Sequence, residues 1–303
     1  MNEFMYDIII VGAGPAGLTA GIYAGRAGLD ALIIDNGASG GTANTAPLVE
    51  NYPGFDKIPG TELMKNIAEQ TKEYCEIKEF TIVEYVKRVD DMFNVETSVG
   101  VFTSKFVILA TGSKHKTLDV PGVGEFGGRG VSYCAVCDGA FFLNREVLVV
   151  GGGNSAATEA LYLNRVGVKC SLVHRRDKLR CDEKLQEDLK NNDIGVYWDS
   201  EVREVRGENS VEEVVLYNKK TGKETVVNVN GLFIAIGNIP NNELATKLGI
   251  ECDQLGYIKT DENMQTSVKG VYAAGDVTGG IKQIVVSASQ GATATTSIQK
   301  LLY

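Results

Sequence analysis

An α/β fold of two doubly wound, Rossmann-like domains, the second inserted into the first, is what this sequence predicts, and three observations predict it. Two glycine-rich turns, Gly12-Ala13-Gly14-Pro15-Ala16-Gly17 and Gly151-Gly152-Gly153-Asn154-Ser155-Ala156, each follow an apolar run and open a helical pattern. Each turn is then followed by a second short apolar run, as a βαβ unit requires. Two further apolar runs end in glycine, at Gly112 and Gly237, and lead into glycine- and proline-containing stretches that read as crossings out of the first domain and back into it.

In chain order, the apolar run Tyr6 to Val11 is read as a buried strand, Pro15 to Ala27 as the helix after it and Ala31 to Ile34 as the next parallel strand. Ala110-Thr111-Gly112 ends a later apolar strand, and Ser113 to Gly130 leads into the insertion. There the pattern recurs, with a strand over Glu146 to Val150, a helix over Asn154 to Val166 and a strand over Lys169 to His174. Leu232 to Ile236 is a further strand, and Asn238 to Asn242, with Pro240, is the return crossing. Val271-Tyr272-Ala273-Ala274-Gly275-Asp276 and a final helix from about Gln283 to Leu302 complete the first domain. The expected division is 1–112 with 242–303, and 113–241.

Composition narrows the function. A chain of 303 residues has room for two domains, each with its own core. The 30 basic and 39 acidic side chains give a net charge of −9, which repels a polyanion and argues against nucleic-acid binding. No apolar run reaches the roughly 18 to 20 residues that span a bilayer. The start carries no basic leader, so a cytoplasmic protein without a membrane anchor is expected. With only two histidines, His115 and His174, hydrolases built on a histidine base and histidine-rich metal sites have few candidates, and no metal is expected.

The first glycine turn has the spacing for a tight turn, for backbone approach to a pyrophosphate and for close helix packing, with the helix N-terminus facing the anion. Asp35, at the end of the next strand, stands where an acid binds ribose hydroxyls. At the corresponding place after the second turn the chain presents His174-Arg175-Arg176-Asp177-Lys178-Leu179-Arg180. A carboxylate there would repel a 2′-phosphate, whereas guanidinium forks bind one, so the second site is read as an NADPH site.

Cys134-Ala135-Val136-Cys137-Asp138 admits three readings. Zinc needs four ligands, and Cys75, Cys170, Cys181 and Cys252 are scattered. Two buried, inert thiols are the ordinary fate of cysteine. A redox-active dithiol fits two sulfurs separated by two residues, which exchange readily. Asp138 would then be the acid that protonates a thiolate, with an ordinary surface aspartate as the alternative.

The ordered set of these segments, together with Glu50-Asn51-Tyr52-Pro53-Gly54, Ala110-Thr111-Gly112, Ala274-Gly275-Asp276-Val277 and Lys282-Gln283, resembles the low-molecular-weight thioredoxin reductases over nearly the whole chain. The resemblance implies a cytoplasmic homodimeric flavoprotein that passes electrons from NADPH through FAD and Cys134–Cys137 to a thioredoxin or glutaredoxin-like protein. It implies FAD on the first domain, at Gly12, Gly14, Pro15, Ala16, Gly17, Asp35, Gly41, Thr42, Asn51, Ala110, Thr111, Gly112, Gly275, Asp276, Lys282, Gln283 and Ile284. NADPH would lie on the inserted domain at Gly151, Gly153, Asn154, Ser155, Ala156, His174, Arg175, Arg176 and Arg180. By the same resemblance, Cys137 exchanges electrons with the flavin, Cys134 attacks the partner and the domains rotate about the two crossings. The chain departs from the pattern at Thr42-Ala43, where the family has Gln-Leu, at Lys282, where it has arginine, and at Asn238, where histidine is common. A reductase fed by reduced ferredoxin or a deazaflavin is the alternative, and the intact second turn and its three arginines count against it.

Overall fold

A computed structural model describes residues 5–302 with the exception of Pro47. The first four residues, which carry part of the reading of an unexported start, lie outside it. The chain divides into two units, Met1–Lys114 with Ile239–Tyr303, and His115–Asn238. Both crossings fall within a few residues of Gly112 and Gly237.

In the first unit β1 (Met5–Val11), α1 (Pro15–Arg26) and β2 (Ala31–Ile34) form the opening βαβ, followed by α2 (Gly60–Lys72) and β3 (Glu76–Lys78). β1 and β2 are almost continuously buried, because a central parallel strand is covered on both faces and has no polar side to show. Pro15 occupies the first turn of α1, where its missing N–H costs nothing. α1 ends at Arg26, one residue short of the sequence expectation, with Ala27 as its cap. An antiparallel meander follows: β4 (Val83–Val89), β5 (Met92–Thr97) and the ten-residue β6 (Gly100–Leu109). β6 pairs with β5 through its first half and lies parallel to β1 through most of its length.

The outward crossing is β7 (Ser113–His115), and the second unit continues with β8 (Val131–Ser132) and the short α3 (Ala135–Asp138). β9 (Glu146–Val150), α4 (Asn154–Arg165) and β10 (Lys169–Val173) repeat the βαβ. They are followed by α5 (Glu183–Asn191), β11 (Val196–Tyr197), a second meander of β12 (Ser200–Arg206), β13 (Glu213–Asn218) and β14 (Glu224–Asn228), and β15 (Gly231–Ile234). The return crossing, β16 (Asn238–Pro240), pairs with β7. The chain closes with α6 (Glu243–Lys247), β17 (Val271–Ala273) and the long α7 (Ile284–Leu302).

The parallel core of the first unit runs β3-β2-β1-β6-β17 and that of the second β11-β10-β9-β15-β8; the first four strands follow one order, while the edge strand comes last in the chain in the first unit and first in the second. Alternate residues face opposite layers. Ile8 and Ile10 meet Leu18, Ala20, Ala24 and Ile298 on the helical side, whereas Ile9 and Val11 meet Phe93, Val95 and Val271 on the other. In the second unit Val147 and Val149 face α4 and α5, and Leu148 and Val150 face the meander. Full burial of one such side chain contributes about 1.5–3 kcal/mol. The strand order reverses beside β1 and beside β9, and a ligand site in such a sheet opens there, at the carboxyl ends of the strands.

Candidate active site

At the end of β1 the glycines divide the work. A Cβ at Gly12, whose φ is +110°, would lie 2.3 Å from the Ala110 carbonyl oxygen, and one at Gly17 would lie 1.8 Å from that of Gly12. These two positions let the chain turn and let α1 settle on the strand end. A Cβ at Gly14 would meet nothing within 4 Å. Gly14 faces room that a pyrophosphate can enter, at the N-terminus of α1.

The neighbouring loops are tied to this turn. Asp35 accepts the Ala13 N–H at 2.6 Å and the Gly37 N–H at 2.8 Å, and the Gly40 N–H donates to the Ala13 carbonyl at 2.7 Å. Asp35 thus holds two loops in place, and its remaining lone pairs are available to a ribose. A Cβ at Gly41 would come within 3.3 Å of the Gly14 Cα, and a Cβ at Gly275 within 3.0 Å of the Ala16 side chain. Asn51 donates to the Gln283 side-chain oxygen at 2.9 Å, bringing together residues 232 apart in sequence. Ile284 follows as the first residue of α7. Thr111 donates to the Asn241 carbonyl at 2.6 Å while the Asn241 amide donates to that of Thr111 at 2.7 Å, which fixes Ala110-Thr111-Gly112. The Asp276 carboxylate accepts from Ser113 and Ser287, both at 3.4 Å, and Gln290 accepts the Gly275 N–H at 2.7 Å. Thr42 donates to the Ser113 carbonyl at 3.5 Å, and the Lys282 ammonium sits over the Tyr257 ring at 4.8 Å. Asn241, Ser287, Gln290 and Tyr257 carry no motif of their own, and sequence reasoning passed over them.

The second turn repeats the scheme. A Cβ at Gly151 would lie 2.5 Å from the Ala235 carbonyl oxygen and 2.6 Å from the Ala156 Cβ, whereas one at Gly153 meets nothing within 4 Å. Ala156 is fully buried and Ser155 is exposed beside Asn154. Asn154 exchanges two hydrogen bonds with Asp182, at 2.9 and 3.0 Å, and the Arg180 N–H donates to the Gly152 carbonyl at 2.7 Å, anchoring the cationic loop to the turn. His174 stands apart from its neighbours in that loop. It is buried, its Nε2 lies 3.0 Å from the Lys178 carbonyl oxygen, and burial pushes its pKa below the usual imidazole value. It braces the loop from beneath. Arg175, Arg176 and Arg180 are exposed, and none is in an ion pair among the described residues. The loop's own carboxylate, Asp177, is paired with Lys220 at 3.0 Å. Three guanidinium groups remain for an anion.

In the same unit Cys134 and Cys137 form a disulfide, with their Cα atoms 5.3 Å apart. Cys134 caps α3, and its sulfur accepts the Cys137 N–H at 3.2 Å. The Cys134 N–H donates to Ser132 Oγ at 3.1 Å, and that hydroxyl donates to Asp138 at 2.6 Å. Burial raises the Asp138 pKa and the Ser132 bond partly opposes it, so this carboxyl keeps its proton further toward neutrality than an exposed one. Val136, Phe141 and Leu143, beside the bridge, are each about half exposed.

A second carboxyl was not legible in the sequence. Glu159, on α4, has a pKa pushed up to about 7 by burial, partly offset by the Ala135 N–H, and its Oε2 is buried without a hydrogen-bond partner. The raised value fixes the sign of its effect on stability. Below the ordinary value of 4.5 both folded and unfolded states hold the proton, and as pH rises toward 7 only the unfolded state releases it, so stability falls through that window. A shift of this size corresponds to about 3 kcal/mol. Glu159→Gln is therefore expected to match the parent at pH ~4.5 and to exceed it by about 1–3 kcal/mol at pH ~8. Denaturant midpoints at the two pH values measure this, and an equal difference at both would contradict it.

The family model for pyridine nucleotide-disulphide oxidoreductases matches residues 6–291. Curated thioredoxin reductases from Listeria innocua and Bacillus subtilis are each 42% identical to the chain, over 302 and 301 residues. The alignments span 99% and 98% of this chain and 94% and 95% of theirs. The crystal structure of thioredoxin reductase from Streptococcus pyogenes superposes with a TM-score of 0.93 at 42% identity and 99% coverage of both chains. With two glycine turns and a cysteine bridge arranged as described, the chain belongs to the pyridine nucleotide-disulphide oxidoreductase family.

Proposed function

We propose that the protein is an NADPH-dependent, FAD-containing thioredoxin reductase whose Cys134–Cys137 pair delivers electrons to a thioredoxin or glutaredoxin-like protein. The observation that carries this reading is the bridge itself, capping a short helix with Asp138 hydrogen-bonded beneath it through Ser132, on the unit that also bears the three unpaired arginines. FAD fits the first unit, where Gly14 opens onto free space and Asp35, Asn51, Asp276 and Gln283 surround the turn. NADPH fits the second, at Gly153, Asn154, Ser155 and the arginines. The flavin, when bound, supplies two-electron chemistry between nicotinamide and disulfide.

The chain's own residues do the rest. The Cys137 N–H lowers the cost of negative charge on the Cys134 sulfur once the bridge opens. Asp138, half-buried and oriented by Ser132, holds the proton that a thiolate must receive. The half-exposed Val136, Phe141 and Leu143 offer an apolar rim to a protein partner. A second copy of the chain would dock on the first unit, where α1, α2 and α7 flank an open groove of about 690 Å³ lined by both apolar and polar side chains, among them Ile22, Tyr23, Val285, Gln70 and Thr293. Among the described residues no helix is long and apolar enough to cross a membrane. Cys75, Cys170, Cys181 and Cys252 are free thiols, which suits a reducing cytoplasm.

The test is rapid mixing of flavin-loaded protein with NADPH and with NADH, followed by turnover with a thioredoxin. Each guanidinium–phosphate contact contributes about 1.5–3 kcal/mol. Replacing Arg175 and Arg176 together by glutamine is thus expected to raise KM for NADPH about 100-fold or more and to change KM for NADH by less than about threefold. A parent enzyme whose flavin absorbance is not lost with NADPH overturns the assignment.

A further inference from the structure

Glu159 is a half-buried titratable group to which the chemistry above gives no task. It sits in the second turn of α4, the helix on which α3 packs through Ala135, Ala156, Ala160 and Leu163, all essentially inaccessible. Ala135 directly follows Cys134, and its backbone N–H donates toward the Glu159 carboxyl. The N–H groups of the redox turn therefore end on acidic chemistry from two sides: Cys134 N–H on Ser132 and through it Asp138, and Ala135 N–H on Glu159. Yet Glu159 Oε2 is buried and accepts nothing. A structural carboxylate in that position would have its second oxygen satisfied.

Among the described residues no cation forms an ion pair with it. The titratable groups on α3 and its cap are Cys134, Cys137 and Asp138, and Tyr162 lies one turn on along α4. On β10, Cys170 donates to the Ala160 carbonyl, and burial pushes its thiol up to about 11. On α5, Lys184, Glu187 and Asp188 pair with one another at the surface, and on β9 Glu146 pairs with Lys169. Burial and the Ala135 N–H are what act on Glu159.

We propose that Glu159 is the proton store of the redox turn, taking up a proton when the Cys134–Cys137 bridge opens and releasing it when the bridge closes. The inference rests on the reading of that pair as redox-active. When a dithiol reductant opens the bridge, the Sγ–Sγ bond breaks, the reductant closes to its own disulfide, and two electrons and two protons are delivered. One proton stays on a cysteine as a thiol and the other goes to Glu159, leaving the second cysteine as a thiolate. A thiolate on the redox turn and a half-buried carboxylate that receives an N–H of the same turn repel, so the proton settles where it removes that repulsion. On reclosure the thiolate attacks the partner disulfide, the remaining thiol gives up its proton as it displaces the partner, and the Glu159 proton leaves with it. The partner departs as a dithiol, with electrons and protons balanced. Glu159 acts through the turn and touches no substrate, so it is a positioning residue.

Two measurements on the flavin-loaded protein test this. In the first, carbon-13 glutamate is incorporated and the infrared difference spectrum between the oxidised and the dithiol-reduced protein is recorded at neutral pH. A protonated glutamic acid band that gains intensity on reduction, shifts with the label and is missing from Glu159→Gln is the expected result. In the second, the rate of alkylation of the reduced pair is followed against pH. Glu159→Gln, which keeps an acceptor for the Ala135 N–H but carries no charge, is expected to alkylate at the parent's rate near pH ~7, where Glu159 holds the stored proton, and about tenfold faster at pH ~9, where the parent carboxylate has lost it and raises the thiol pKa. Parent and variant profiles that superimpose, or a glutamic acid band unchanged by reduction, overturn the inference while leaving the redox pair intact. A bridge that the reductant never opens overturns both.

Discussion

Serine at position 137 is expected to cut turnover with a thioredoxin by at least about 10⁴-fold, while NADPH-dependent loss of the flavin absorbance persists. The hydroxyl is the wrong chemistry on two counts. It does not ionise near neutral pH, and it cannot attack a mixed disulfide on Cys134 to close the bridge and release the reduced partner. The bridge joins residues whose Cα atoms are 5.3 Å apart, and no other free cysteine lies within this turn. Because the two sulfurs act as a unit, Cys134→Ser should cost about as much, and the double variant little more than either. Steady-state NADPH oxidation with a thioredoxin measures all three. Turnover above about 1% of the parent in either single variant would show that electrons reach the partner without the bridge.

The fold was legible where local sequence and tertiary structure impose the same pattern. Ile8, Ile9 and Ile10 form an apolar run because a central parallel strand is buried on both faces, and the glycines after it are spaced by the geometry of the turn. The edge strands β4 and β14 of the two meanders left no such trace. Of the seven residues of β4 only Val86 is buried, and β14 is exposed along most of its length, so neither shows the alternation that marks a half-buried strand. In consequence the layer packed on the second face of each sheet was not anticipated.

The site divides along the same line. The cysteine pair and the arginine run are contiguous and declare themselves by spacing. Asn51 with Gln283, Thr111 with Asn241 and Glu159 with Ala135 are brought together only by the fold; Asn51, Gln283 and Thr111 stood out through the resemblance, and nothing local marks Asn241 or Glu159. His174 opens the cationic run, and a histidine there reads as one more ligand for a phosphate. Its surroundings were not legible: the ring is buried, where a charged imidazolium would be costly, and it is set against the Lys178 carbonyl.

Two alanine substitutions three residues apart in the first turn should fail in different ways, and the contrast separates folding from ligand binding. At Gly17 the new Cβ would stand 1.8 Å from the Gly12 carbonyl oxygen, a backbone atom that no rotamer change can move. α1 would have to lift from the strand end, and with it the contact at which α7 crosses α1, where a Cβ at Gly291 would already lie 2.0 Å from the Ala16 carbonyl oxygen. Overpacking of this kind costs about 1–3 kcal/mol or more, so Gly17→Ala is expected to lower the Tm of flavin-stripped protein by several degrees or to prevent its isolation. Gly14 has φ −77° and ψ −174°, a conformation alanine adopts freely, and open space where its Cβ would go. Gly14→Ala should leave the flavin-stripped protein within about 1 kcal/mol of the parent. That same space is what a pyrophosphate needs to approach the N-terminus of α1, so flavin affinity should fall about 100-fold or more, measured by fluorescence titration. If Gly14→Ala bound flavin as tightly as the parent, the pyrophosphate could not lie over Gly14, and the open room at the second turn, where Gly153 stands in the same relation to α4, would lose its meaning as well.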